Sequence, residues 1–158
     1  MKISERFQSR DATLGVIGLG YVGLPLAIEY AKAGFKVVGI DLDAQKVAQL
    51  NAGESYIIDV PTADVADAVS KGLLTASTEA DALRACQSVN ICVPTPLSKT
   101  HDPDISSIQA AVDVIVPNLH EGMLIILEST TYPGTCEEVI LPRLCEGGLE
   151  VGKDFHLA

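Results

Sequence analysis

The chain has 158 residues, of which 47% are hydrophobic and 20% charged, a composition that is typical of a folded domain and not of a disordered chain. Its 11 basic and 21 acidic side chains give a formal net charge of −10 at pH 7, which argues against nucleic-acid binding because that function needs a basic surface. No apolar run reaches the ~18 residues of a membrane span, so we expect no membrane partner either.

The first residues, MKISERFQSRD, are polar, and we expect residues 1–11 to form a flexible lead-in to a domain of residues 12–158. They lack the apolar core of a signal peptide, which indicates a cytoplasmic location. The sequence stops within a predicted strand, so we expect a truncated single domain of a longer protein.

Strand-like and helix-like segments alternate along the chain. Short apolar runs predict strands at residues 14–17, 36–40, 74–76, 88–93, 123–127 and 155–158. Amphipathic runs predict helices at residues 21–33, 43–51, 62–70, 79–85, 105–119 and 136–144, with Thr62 and Thr135 as N-caps. This alternation predicts the α/β class, specifically a doubly wound parallel sheet (a Rossmann fold) with strand order 3-2-1-4-5-6.

Three glycines follow the first predicted strand in the pattern G-x-G-x-x-G. Gly18 allows a tight turn, Gly20 lets a pyrophosphate approach the backbone, and Gly23 lets the next helix pack closely on the strand. The amino terminus of that helix offers free N–H groups and a partial positive charge to phosphates. The motif in this context predicts a dinucleotide site.

Asp41 ends the second predicted strand, at the position where a carboxylate accepts hydrogen bonds from an adenosine ribose. A carboxylate there repels a 2′-phosphate, so the predicted cofactor is NAD and not NADP. Lys46, one turn later, is expected to lie near the adenosine end without binding a phosphate. A glycine-rich turn without any dinucleotide, a methyltransferase and an FAD protein are the alternative interpretations of the motif.

Two threonines follow the fourth and fifth predicted strands, whose carboxyl ends border the crevice of such a sheet. Thr95 stands between two prolines, which restrict its backbone, and Thr130 follows the run MLIIL. Both hydroxyls are placed to meet the nicotinamide half or an ordered water. The alternative interpretation is that they are ordinary turn and capping hydroxyls.

Other polar residues near these strand ends have two interpretations each. Glu128 is either buried with a raised pKa or at the solvent edge, and Lys99 either contacts a substrate phosphate or is solvated. His101 has no second ligand at metal spacing, so no metal site is predicted. The cysteines show no CxxC spacing and are interpreted as structural; they are Cys86, Cys92, Cys136 and Cys145.

Four segments, GVIGLGYVGLPLA, VVGIDLDAQKV, ICVPTPL and ILESTTYPGT, resemble the N-terminal NAD-binding domain of the UDP-glucose/GDP-mannose dehydrogenase family. The segments ESTTYPGT and LPLAIEYAKAGF are most similar to the branch acting on UDP-N-acetylhexosamines, which includes UDP-N-acetylglucosamine 6-dehydrogenases. The resemblance implies that C6 of a UDP-sugar is oxidised to a carboxylate with two NAD, making sugar acids for surface polysaccharides.

The resemblance also implies roles for individual residues. Tyr21, Val22, Asp41, Lys46, Thr95 and Thr130 would contact NAD together with the three glycines, and Thr130 would help to hold the catalytic water. The family's catalytic cysteine forms a thiohemiacetal and a thioester with C6, and it lies in a later glycine-rich motif that none of the four cysteines matches. This chain is therefore expected to bind NAD without turnover.

The resemblance further implies a full-length enzyme that is a homodimer or higher homo-oligomer and acts on a UDP-sugar. Two other functions fit the glycine motif. One is the NAD domain of a β-hydroxyacid dehydrogenase, and the other is a non-catalytic module that senses NAD.

Overall fold

The computed structural model describes residues 3–96 and 104–158, and within them six parallel strands form one sheet. The strands are β1 (Thr13–Ile17), β2 (Lys36–Ile40), β3 (Leu74–Ser77), β4 (Ser88–Ile91), β5 (Leu124–Leu127) and β6 (His156–Leu157). Their order is β3-β2-β1-β4-β5-β6, and each neighbouring pair is parallel. The predicted doubly wound sheet and its strand order are thus confirmed.

Helices cover both faces of the sheet. They are α1 (Ile3–Ser9), α2 (Gly23–Lys32), α3 (Ala44–Asn51), α4 (Thr62–Ser70), α5 (Ser106–Ile115) and α6 (Leu141–Leu144). Three predicted helices contain tighter or wider turns instead: 3₁₀ turns at Ala80–Ala85 and Val116–Asn118, and a π turn at Cys136–Ile140. A further 3₁₀ turn, Cys145–Gly147, follows α6. Pro117 and Pro142 account for two of these breaks, because neither has an amide hydrogen to donate to the α-helical ladder. No helix in the described part of the chain is long and apolar enough to cross a bilayer.

The segment before β1 contains a helix that the sequence analysis does not predict. Helix α1 has 7 residues and none of them is buried, so it is too short and too exposed to show the apolar periodicity by which a helix is recognised in a sequence. It ends at Ser9, and the next residue, Arg10, has a left-handed φ of 58°. The ring of Phe7 packs on the ring of Phe35, with centroids 5.9 Å apart, and this contact holds α1 against the domain.

The sheet separates two apolar cores. One core is built on α2, α3 and α4, and the other on α5 and the turns around α6. Consecutive residues of β1 enter opposite cores, Val16 the first and Ile17 the second, because successive side chains of a strand point to opposite faces. Every residue of β4 is buried. The central strands are therefore held from both sides, and their carboxyl ends form a fixed edge.

Of the two predicted N-caps, the position of Thr62 is wrong, and that of Thr135 is right but its side chain forms no capping hydrogen bond. Thr62 is the first residue of α4, with Pro61 at the cap position, and its hydroxyl accepts a hydrogen bond from the Ser55 amide at 3.3 Å. Thr135 occupies the cap position before the π turn, but its hydroxyl donates back to the Tyr132 carbonyl at 2.9 Å. In each case a loop backbone group competes for the hydroxyl, which sequence spacing does not reveal.

The edge strand β3 is protected by a side chain of α3. The Asn51 amide nitrogen donates to the Ala76 carbonyl at 2.8 Å, and its oxygen accepts from the Ala76 amide at 2.9 Å. This pair of bonds imitates a neighbouring strand at an edge whose backbone groups are otherwise open to pairing.

Replacing Asn51 with alanine is expected to lower the free energy of unfolding by about 2 kcal/mol, because two hydrogen bonds to the β3 backbone are lost. In a domain of this size the melting temperature should fall by roughly 6 °C, measured by thermal denaturation. Asn51→Asp should cost more, since a carboxylate oxygen would face the Ala76 carbonyl. Gln45→Ala, at an exposed position of the same helix, is the control, and an equal loss in Gln45→Ala would contradict the role of Asn51.

Candidate dinucleotide site

The glycine loop (residues 18–23) connects β1 to α2, and its three glycines meet different constraints. Gly18 has a φ of +89°, and a Cβ there would lie 2.7 Å from the Cys92 carbonyl oxygen. A Cβ at Gly23 would overlap the carbonyl oxygen of Gly18. A Cβ at Gly20 would have no atom within 4 Å. Packing inside the chain therefore requires Gly18 and Gly23, whereas Gly20 borders an open space that a Cβ would fill.

The amides beside this space have no acceptor inside the described structure. Among residues 3–96 and 104–158, no hydrogen bond is formed by the N–H groups of Gly20, Tyr21 and Val22. Val22 is at the N-cap of α2 without a side-chain cap, and the side chains of Tyr21 and Val22 are 81% and 59% exposed. Free amides at a helix amino terminus are suited to an anion, so the residues present fit a pyrophosphate.

Asp41 connects the end of β2 to the glycine loop. One carboxylate oxygen accepts from the Leu19 amide at 2.9 Å, and the other accepts from the Asp43 amide at 3.0 Å. A carboxylate has about four acceptor positions, so each oxygen can accept one more donor, such as a ribose hydroxyl. The structure thus places Asp41 next to the loop as predicted, and adds a second role in holding Leu19.

Lys46 is in the first turn of α3, above an aromatic ring. Its Nζ lies 5.7 Å from the centroid of the Tyr56 ring, within the range of a cation–π contact. The Tyr56 hydroxyl donates to the Leu19 carbonyl at 2.5 Å. Burial raises the pKa of Tyr56 well above its usual range, and the charges of Asp41 and Asp43 raise it further, so the hydroxyl keeps its proton at neutral pH.

Tyr56 is the site residue that sequence analysis misses. It belongs to the loop GESYIIDV, where no motif distinguishes it from any other loop tyrosine. Its partner is a backbone carbonyl 37 positions earlier, so the contact exists only once α3 has packed against the sheet.

The two predicted threonines lie together at the carboxyl ends of β4 and β5. The Thr95 hydroxyl donates to the Thr130 carbonyl at 2.6 Å and so joins the two loops. Ser129 strengthens this junction, since its hydroxyl donates to the Val93 carbonyl at 2.8 Å. The Thr130 hydroxyl is exposed and has no partner within the described ranges. Of the two hydroxyls, Thr95 therefore stabilises the turn and Thr130 is open to a ligand.

A polar group lies beside these loops on the α2 side of the sheet. Glu128 is exposed, so it lies at the solvent edge and is not buried. The Tyr30 hydroxyl donates to the buried Asn90 at 3.3 Å, and burial, followed by the charge of Glu128, raises the pKa of Tyr30. Burial, followed by the Glu128 charge, raises the pKa of Cys92 to about 12, so its thiol stays protonated at neutral pH.

The remaining predicted positions are Lys99, His101 and the cysteines. Lys99 and His101 lie outside the described residues. Burial raises the pKa of Cys86 to about 12, which makes this thiol as unreactive as that of Cys92. In the part of the chain that the structure describes, no three histidine, cysteine or acidic side chains form a group that could hold a metal ion.

The site residues share one edge of the sheet. Asp41 follows β2, the glycine loop follows β1, and Thr130 follows β5. Strands β1 and β4 are neighbours in the sheet although they are far apart in the sequence, so the strand order reverses between them. An extended ligand can therefore cross this edge from Asp41, past the glycine loop, to Thr130.

Comparisons with known proteins agree with this geometry. The model of the UDP-glucose/GDP-mannose dehydrogenase family, NAD binding domain, matches residues 12–158. A UDP-N-acetyl-D-mannosamine dehydrogenase of Pyrococcus horikoshii is 38% identical over 149 residues, which are 92% of this chain and 35% of that protein. A UDP-N-acetyl-D-glucosamine 6-dehydrogenase of Pseudomonas aeruginosa is 35% identical over 147 residues, which are 92% of this chain and 34% of that protein.

Solved structures give the same result. A UDP-N-acetyl-mannosamine dehydrogenase of Staphylococcus aureus superposes with a TM-score of 0.86 at 35% identity, covering 92% of this chain and 35% of that one. The chain thus spans about a third of the length of the curated relatives that it matches.

Proposed function

Because the chain belongs to the UDP-glucose/GDP-mannose dehydrogenase family and is its NAD-binding domain, we propose that it binds NAD for an enzyme that oxidises C6 of a UDP-N-acetylhexosamine to the uronic acid. The observation that carries this proposal is the open space at Gly20, bordered by unpaired amides and next to Asp41. The relatives named above support the substrate class, since both act on UDP-N-acetylhexosamines by name. The family match removes the β-hydroxyacid dehydrogenase alternative.

Each residue of the edge has a part in holding the dinucleotide. The amides of Gly20, Tyr21 and Val22 donate to the pyrophosphate, which their position at the start of α2 favours. Asp41 accepts hydrogen bonds from the hydroxyl groups of the adenosine ribose, and Lys46 lies beside the adenosine.

At the other end, the Thr130 hydroxyl contacts the nicotinamide half, and Thr95, whose hydroxyl donates to the Thr130 carbonyl, lies beside it and can only accept from the cofactor. The open hydroxyl of Thr130 positions the water that hydrolyses the thioester at C6 to the carboxylate. When bound, NAD supplies the hydride acceptor for the oxidation.

The nucleophile of the reaction is not assigned to a buried cysteine of this chain. Cys86 and Cys92 are protonated at neutral pH, and a thiol, unlike a thiolate, does not attack an aldehyde efficiently. The part assigned to this chain is cofactor binding. We propose that the whole enzyme is a cytoplasmic homo-oligomer that supplies sugar acids for surface polysaccharides.

Calorimetric titration of the chain with NAD and NADP tests the proposal. NAD should bind, and NADP should bind at least about tenfold more weakly, because its 2′-phosphate meets the Asp41 carboxylate. Asp41→Ala should weaken NAD binding by about tenfold to a hundredfold, because the variant loses the hydrogen bonds between the ribose hydroxyls and a charged carboxylate.

Asp43→Ala is the matched control, because the Asp43 carboxylate accepts from the Gln45 and Lys46 amides and caps α3. This variant should lose stability and retain NAD affinity. Equal binding of NAD and NADP, or no NAD binding by the folded chain, would contradict the proposal.

A further inference from the structure

Both backbone polar groups of Leu19, between the first two glycines of the motif, are held by side chains from other parts of the chain. Asp41 accepts from the Leu19 amide at 2.9 Å, and the Tyr56 hydroxyl donates to the Leu19 carbonyl at 2.5 Å. Within a glycine-rich loop such double attachment restricts a backbone that would otherwise sample many conformations.

The contact with Tyr56 determines where the next amide points. The Leu19 carbonyl and the Gly20 N–H belong to one planar trans peptide, so they point in opposite directions. A hydrogen bond that fixes the carbonyl toward Tyr56 therefore turns the Gly20 N–H away from Tyr56. That N–H has no acceptor among the described residues, and the space beside Gly20 is open.

Tyr56 is itself well supported. Its half-buried ring packs against the core formed by α2, α3 and α4, and the Lys46 ammonium lies over the ring. Lys46 belongs to α3, and Leu19 belongs to the glycine loop after β1. Through its contacts with these two residues, Tyr56 connects the helix after β2 to that loop.

We propose that Tyr56 is a positioning residue of the dinucleotide site, whose hydroxyl holds the Leu19 carbonyl so that the Gly20 amide is directed at the pyrophosphate. This inference rests on the proposed function, because it requires that a pyrophosphate bind at the glycine loop. It adds a residue that lies outside the glycine motif and acts through the Leu19 backbone.

The variant Tyr56→Phe tests the role of the hydroxyl, since it keeps the ring and its contact with Lys46. The dissociation constants of NAD and ADP-ribose, which both carry a pyrophosphate, should rise about threefold to tenfold, the effect of one net hydrogen bond. The dissociation constant of adenosine, which carries no phosphate, should not change. A loss that is equal for all three ligands would overturn the proposal, because it would indicate a general structural defect.

Tyr30→Phe is the matched control. Tyr30 is also half-buried, and its hydroxyl also donates a single hydrogen bond, to Asn90 at 3.3 Å, but it lies outside the glycine loop. The control should leave the affinities for NAD and ADP-ribose unchanged, with thermal denaturation recorded for both variants. If the two variants weaken NAD binding to the same extent, the proposed role of Tyr56 is wrong.

A measurement without ligand separates this inference from the proposed function. The amide resonance of Gly20 in the ¹H–¹⁵N spectrum of the free chain should shift in Tyr56→Phe and stay in place in Tyr30→Phe. An unshifted Gly20 resonance in Tyr56→Phe would overturn the inference even if NAD binds. Failure of the wild-type chain to bind NAD would instead overturn the proposed function, and with it the pyrophosphate target of the Gly20 amide.

Discussion

Replacing Gly20 with alanine is expected to weaken NAD binding by about tenfold to a hundredfold while leaving the free energy of unfolding unchanged, because the added methyl group keeps the charged pyrophosphate from hydrogen-bonding to the loop amides. A Cβ at Gly20 meets no atom of the chain within 4 Å, so the fold accommodates it. Gly20 is also absent from the glycines with positive φ, so its backbone suits alanine. The same Cβ occupies the space through which a pyrophosphate reaches the loop amides.

Calorimetric titration with NAD and thermal denaturation together check this expectation. Gly147→Ala is the matched control, because a Cβ there also meets nothing within 4 Å and Gly147 lies in a 3₁₀ turn away from the glycine loop. It should bind NAD like the wild type. If Gly20→Ala also binds NAD like the wild type, the pyrophosphate does not approach Gly20 and the site has to be placed elsewhere.

Replacing Gly23 with alanine should have the opposite effect, a loss of stability in the absence of any ligand. The added Cβ would overlap the Gly18 carbonyl oxygen and lie 3.1 Å from the Cβ of Cys92. The overlapped atom belongs to the backbone, so it cannot rotate away, and α2 would have to move off β1 and β4. Overpacking of this kind costs about 3 kcal/mol of the free energy of unfolding.

In a domain of this size that loss corresponds to a decrease of roughly 10 °C in the melting temperature. Thermal and urea denaturation measure it, and Gly20→Ala serves as the comparison because it adds the same methyl group to the same loop. A melting temperature equal to that of the wild type would show that α2 shifts on the sheet without cost. The requirement for glycine at this position would then come from the ligand and not from packing.

Much of the fold follows from local patterns. The alternation of apolar and amphipathic runs predicts six strands and their order, and each appears in the sheet of the described residues within a few positions. The left-handed glycines after helices, such as Gly34 and Gly72, end α2 and α4 where the sequence predicts. The segments and their ends depend on neighbours in the chain, whereas the strand order is the one typical of the fold class that the alternation indicates.

Part of the candidate site is predictable for the same reason. The spacing of Gly18, Gly20 and Gly23 predicts a loop between a strand and a helix, and Asp41 belongs to the next strand along the chain. The structure places all four residues at one edge of the sheet. Which of them contact NAD stays a prediction, which the titrations described above test.

The sequence by itself thus determined the strand and helix segments, the glycine loop and the acidic residue after the second strand, because each depends on residue types at short spacing. The strand order followed from the fold class that those segments indicate. Only the tertiary structure decided that Tyr56 holds Leu19, that the Thr95 hydroxyl bonds the Thr130 carbonyl, and that the Thr130 hydroxyl stays open. A hydroxyl accepts or donates wherever a partner comes within about 3 Å. The partners of the Tyr56 and Thr95 hydroxyls are backbone groups distant in the sequence, whose positions are set only when the strands and helices have packed.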